Sequence, residues 1–134
     1  MSIERKKAKI EINKLDIELK ELEIQLLKVK NALLNVEIEL SEESVTMEDL
    51  QVLAEDLLER YSKEELDKLI EDIEAKEKTA EDGSKYLDTD FEEFKIYSIV
   101  QMGMYNALIR DLSNDKIELL NKSKELTEKL IEMY

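Results

Sequence analysis

Cysteine and histidine are both absent from the 134 residues, as are proline and tryptophan, and there are only two glycines and two phenylalanines. Without cysteine there can be no disulfide and no thiolate metal site. Without histidine the commonest general base and metal ligand is missing. So few turn-forming residues exclude a sandwich or barrel, which needs a turn every few residues. No apolar run has signal-peptide length, and none approaches the ~20 residues of a membrane span. A cytoplasmic chain is therefore expected. What remains is 43% hydrophobic and 40% charged. That is too apolar for a disordered tail and is the composition of long helices, at a length that makes one domain with its own core.

The net charge of −14 is unevenly spread. Residues 1–45 carry 8 Lys+Arg against 10 Asp+Glu, residues 46–95 carry 7 against 18, and residues 96–134 carry 5 against 6. Nearly all the excess sits in the middle. Such a block repels phosphates, so direct binding to nucleic acid or to an anionic membrane is excluded. Only Arg5, Arg60 and Arg110 could act as bidentate clamps.

The first forty residues hold the clearest pattern. Ala8, Ile12, Leu15, Leu19, Leu22, Leu26, Val29, Leu33, Val36 and Leu40 recur at alternating steps of four and three, a heptad a/d seam sustained along a coiled-coil-like helix. A second stripe of Ile3, Ile10, Ile17, Ile24, Leu27, Leu34 and Ile38 occupies f and b positions nearly opposite, and between Ile24 and Ile38 only Asn31 interrupts it. One apolar face suffices for a helix on a small domain. Two opposed faces predict burial from both sides, hence a homo-oligomer, expected to be a dimer, with the residues from Ile12 to Leu40 as its seam.

The pattern breaks at Ser41–Thr46. Thr46 followed by Asp49 predicts an N-cap and a short helix over about 47–60, with Leu50, Leu53, Leu57 and Leu58 inward. Ser62 and Glu65 form a capping-box pair opening a third helix over about 63–79, with Leu66, Leu69, Ile70 and Ile73 inward. Glu81-Asp82-Gly83-Ser84 is a loop. A last helix runs from about Asp90 to the C-terminus along Phe91, Phe94, Met102, Tyr105, Ile109, Leu112, Leu119, Leu126, Leu130 and Met133. Gly103 inside it suggests close approach of another backbone. The fold class is thus all-α: residues 1–41 and 90–134 form a long coiled-coil-like antiparallel helix pair, oligomeric, with residues 46–80 as a short two-helix acidic insert.

Chemistry-bearing constellations are weak. Asp82, Asp88, Asp90, Glu92 and Glu93 crowd one loop and helix start but lack the alternating order of an EF-hand, so they read as a solvated acidic turn with helix N-terminal acids. No glycine-rich phosphate cradle exists, and no histidine can activate a serine or tyrosine. No catalytic residue, metal ligand or cofactor is expected, and the chain is expected not to be an enzyme. Arg5-Lys6-Lys7-Lys9 is the one basic run, read as a solvated helix face or as a patch meeting acidic surface on a neighbouring copy.

Two functions follow. The first is an acidic binding protein that occupies a basic, for instance nucleic-acid-binding, surface of a partner protein through Glu55, Asp56, Glu59, Glu64, Asp67, Glu71, Asp72 and Glu74. Helix-borne carboxylates can imitate spaced phosphates, a way of working common among inhibitors carried by viruses and mobile elements, whose small size this chain shares. The alternative is a coiled-coil scaffold or chaperone-like assembly protein acting through its apolar seams. The charge asymmetry favours the first, because a pure scaffold needs no acidic block.

Overall fold

The structure is a computed structural model, and it describes residues 2–134. In chain order it contains α1 (Ile3–Glu42), α2 (Met47–Arg60), α3 (Lys63–Glu74), β1 (Glu77–Thr79), β2 (Lys85–Leu87) and α4 (Phe91–Glu132). It divides into two compact units, one comprising the chain up to Ala32 with Tyr105–Tyr134, the other Leu33–Met104. Among the described residues no helix is long and apolar enough to cross a membrane.

In the first unit the N-terminal part of α1 runs antiparallel to the C-terminal part of α4. Arg5 donates from Nε to the Met133 carbonyl at 3.0 Å and lies 4.5 Å over the Tyr134 ring, while Lys116 pairs with Glu23 at 3.5 Å. The heptad seam supplies the contact: Leu19 and Leu26 are buried, and Ile12, Leu15, Leu22 and Val29 are half-buried. On α4, Ile109, Leu112, Leu119, Leu126 and Leu130 are half-buried as well. Two helices alone cannot enclose a seam completely, so full burial is confined to those two leucines.

The second unit begins with the end of α1. Val45 donates to the Leu40 carbonyl at 2.9 Å and Ser44 to that of Ser41 at 3.1 Å, with Ser44 at φ 58°. These are the two bonds and the left-handed residue of a Schellman stop, here made by serine rather than glycine. Thr46 then caps α2 reciprocally: its hydroxyl accepts from Asp49 N–H at 3.1 Å and the Asp49 carboxylate accepts from Thr46 N–H at 3.2 Å. The expected limits of α2 coincide with those observed. Ser62 Oγ accepts from Glu65 N–H at 3.2 Å and so starts α3 where expected.

The core of this unit is Leu57, Ile73 and Ile96, packed by Leu53, Tyr61, Leu66, Leu69, Ile70, Leu87, Tyr97 and Ile99. Leu50, Val36 and Leu40 are buried as well. Leu58 corrects the expected inward face of α2: it is 73% exposed, because one residue turns a helix by about 100° and Leu57 takes the inward direction.

α3 ends at Glu74 rather than near residue 79. The next residues form a hairpin, with Glu77 opposite Leu87, Lys78 opposite Tyr86 and Thr79 opposite Lys85. Its loop is the expected Glu81–Ser84 turn. Gly83 adopts φ 86°, Gly83 N–H donates to Ala80 at 3.0 Å, and Asp82 Oδ1 accepts from Ser84 N–H at 2.9 Å. Glycine in the left-handed position of a three-residue hairpin loop is the usual solution. Gly103 is different. A Cβ there would meet open space, so no backbone approaches it and the expectation of a close crossing is corrected.

Candidate functional site

The acidic insert is a surface built on α2 and α3, whose apolar faces turn to the same core. On α3, Leu66, Leu69, Ile70 and Ile73 hold the inner side. Glu64, Asp67, Glu71 and Glu74 then follow at steps of three, four and three, which places them along one outer stripe. The stripe from Glu64 to Glu74 covers ten helical rises, about 15 Å. Glu55 and Glu59, one turn apart on α2, are exposed, as is Asp72 on α3.

Six of the other carboxylates in this unit have structural work. Asp49 closes the Thr46 cap, and hydrogen bonding of its carboxylate, first to the Thr46 backbone N–H and then to the Thr46 side chain, holds its pKa below the usual 3.8. Asp82 accepts from Ser84 and is lowered by it, and Asp88 is lowered by its bond to Lys78. Asp90 and Glu93 form a second reciprocal cap at the start of α4, with bonds of 2.8 and 3.2 Å. Glu93 also binds Lys76, and Glu77 pairs with Lys85 at 3.4 Å. Of the crowded acids between Asp82 and Glu93, Asp82 thus serves the turn, Asp90 and Glu93 the cap and Asp88 an ion pair, while Glu92 is exposed in the first turn of α4. Among the described residues no group of three acidic side chains is disposed to hold a metal ion.

Against that background the eight predicted partner-binding acids divide. Asp56 is half-buried and bound by Arg60 one turn later, which lowers its pKa and raises that of Arg60. Glu55, Glu59, Glu64, Asp67, Glu71, Asp72 and Glu74 are exposed, and their carboxylates take part in no hydrogen bond or ion pair among the described residues, although Asp72 feels Lys76 at longer range. The Asp56–Arg60 bond was readable in advance, since Asp placed four residues before Arg is the favoured orientation of a helical pair.

A cleft of about 500 Å³ opens beside α2, lined by Ser44, Val45, Asp49, Val52, Leu53, Asp56, Phe91 and Lys95. Its two carboxylates are the engaged ones. Lys95 lies 4.8 Å over the Phe91 ring, and that ring stacks on Phe94 at 6.4 Å. The charged groups of the cleft are thus each engaged within the chain, Asp49 by Thr46, Asp56 by Arg60 and Lys95 by the Phe91 ring. The Phe91–Lys95 pair was missed by the sequence reading, which placed Phe91 on the inner seam of α4, whereas Phe91 is half exposed.

The first stripe of α1 is covered within one chain at Leu19, Leu26, Val36 and Leu40, and Leu33 is half-buried. The second stripe is not. Ile3, Ile10, Ile17, Ile24, Leu27, Leu34 and Ile38 are each more than half exposed. No protein-family model, no curated protein and no solved structure matches the chain.

Proposed function

We propose that the chain is a non-enzymatic acidic binding protein whose α2–α3 face occupies a basic, for instance nucleic-acid-binding, surface of a partner protein. The observation that carries this reading is the division among the acids. Six elsewhere in the same unit, Asp49, Glu77, Asp82, Asp88, Asp90 and Glu93, are used in caps, turns and ion pairs, while the stripe Glu64–Asp67–Glu71–Glu74, and Glu55 and Glu59 on α2, keep their carboxylates free for another molecule. Each exposed pair with a partner cation is worth only about 0.2–1 kcal/mol. Together such pairs set the association rate and the choice of partner, and they weaken as salt rises. The test is capture on immobilised wild-type protein compared with the Glu64→Lys, Asp67→Lys, Glu71→Lys, Glu74→Lys variant. A basic protein retained by the first and lost from the second, with helicity equal in both, supports the reading. An identical set of retained proteins removes it.

A second reading rests on a different observation, the uncovered outer stripe of α1. Contiguous exposed apolar surface of this kind marks association. It supports a scaffold that assembles through apolar seams, and self-association of the chain is compatible with both readings.

A further inference from the structure

The outer stripe of α1 has a register as well as a period. Ile3, Ile10, Ile17 and Ile24 recur every seven residues, and Leu27 follows Ile24 by three. Ile24 and Leu27 are therefore the a- and d-type residues of a second heptad frame. In that frame the polar core positions are Lys6, Asn13, Lys20 and Ser41 at d and Asn31 at a, and Leu34 and Ile38 continue the apolar pattern. All of these lie on one unbroken helix. Such a frame can be covered by its own copy in a parallel or an antiparallel arrangement, and the charges beside it separate the two.

In a parallel, in-register pair Lys20 would face Lys20 within the interface. The flanking positions would bring together Lys9 with Lys14, Asp16 with Glu21, and Glu37 with Glu42, against one attractive pairing of Glu23 with Lys28. Like charges placed together are costly and act as selection against that arrangement. In an antiparallel pair centred between Gln25 and Leu26 the outcome reverses. Ile24 packs on Leu27 of the other copy, Ile17 on Leu34, and between them Lys20 meets Asn31; towards the ends Asn13 meets Ile38 and Ile10 meets Ser41, so the apolar contact is confined to the segment from Ile17 to Leu34. The flanks become Glu21 with Lys28, Glu23 with Lys30, and Lys7 with Glu42, and only Asp16 with Glu37 is repulsive. Sliding by one heptad in one direction sets Lys28 and Lys30 against themselves; in the other it does the same to Glu21 and Glu23. Among the described residues Glu21, Lys28, Lys30, Lys7 and Glu42 have no ion pair, while Glu23 has Lys116 at 3.5 Å.

We infer that two copies of this chain pair antiparallel along the outer stripe of α1, about a two-fold axis between Gln25 and Leu26. The inference rests on the self-association proposed above and adds the face, direction and register. It also gives the basic run at Arg5–Lys9 a role, since antiparallel pairing lays it along the partner copy's acidic helix end near Glu39 and Glu42.

Because the chain has no cysteine, single substitutions report proximity without background. Lys20→Cys and Asn31→Cys chains, both altered at exposed polar positions, are oxidised separately and as an equal mixture. The antiparallel register predicts a covalent heterodimer in the mixture. It predicts none from either variant alone, since the two copies of position 20 are offset by eleven residues, about 16 Å. Light scattering on the wild type should give twice 15.7 kDa, and Ile24→Asp should return it to the monomer with its helicity kept. Self-linking of Lys20→Cys overturns the direction, and a dimer without the mixed link overturns the face; both leave self-association standing. A monomeric mass at high concentration overturns the inference and self-association together.

Discussion

Ile73 is the one fully buried large side chain among the described residues, with 0% exposure, and it sits between Leu57 of α2 and Ile96 of α4. Ile73→Ala deletes three carbons from that position and leaves a hole that α2, α3 and α4 can close only in part. Isoleucine-to-alanine changes in cores cost about 2–5 kcal/mol, the upper end where neighbours cannot collapse. A site ringed by Leu53, Leu66, Leu69 and Tyr97 on three helices belongs in the middle to upper part, about 3–4 kcal/mol. That is a large share of the 5–15 kcal/mol typical of a folded domain. Leu58→Ala removes a side chain of equal volume and similar hydrophobicity from the same unit. Leu58 is 73% exposed, so the expected cost is within about 0.5 kcal/mol. Urea unfolding followed by far-ultraviolet circular dichroism measures both. A cost below about 1 kcal/mol for Ile73→Ala, or a larger cost for Leu58→Ala, refutes the assignment of core and surface.

Other consequences are equally open to measurement. Ser44→Gly relieves a serine held at φ 58° and should stabilise by about 1 kcal/mol in the same unfolding assay. Gly103→Ala should do likewise, by up to about 1 kcal/mol, because the position is helical and a Cβ meets nothing. Thr46→Ala removes one half of the α2 cap and should cost about 1 kcal/mol. Asp49, Asp56, Asp82 and Asp88 have folded pKa values below 3.8. Their contribution to stability is therefore complete above that value and is lost as pH falls through the lowered ones. An acid titration of wild type against Asp49→Asn should show a smaller loss of stability below pH 3.8 in the variant.

Much of the architecture is readable from residue spacing. The seam from Ile12 to Leu40 recurs over so many turns that no strand could satisfy it, and Leu19 and Leu26 are buried where it predicts. Thr46 with Asp49 announces α2 because the pair satisfies each other's backbone donors at whatever site it occupies. The hairpin escapes this kind of reading. Residues 75–79 continue a helical composition, and their strand conformation depends on a partner, Lys85–Leu87, that becomes adjacent only once Gly83 turns the chain. Leu58 and Phe91 fail for a related reason. Both are apolar residues beside the true inner face, and packing rather than period decides which neighbour turns inward. The acidic face is legible as a composition bias. Which acids remain free is not, because that depends on Lys76, Lys78 and Lys85 meeting Glu93, Asp88 and Glu77 across the fold.

The central claim is that the free carboxylates of α2 and α3 recognise a basic surface. It is tested most directly by the affinity of the captured partner as a function of salt, measured for the wild type and for the Glu64→Lys, Asp67→Lys, Glu71→Lys, Glu74→Lys variant. Recognition through these carboxylates predicts a steep loss of wild-type affinity as the Debye length falls below about 8 Å, and no binding by the variant at any salt concentration. Equal affinity of the two proteins, unchanged by salt, would contradict the claim and leave the apolar stripe of α1 as the functional surface.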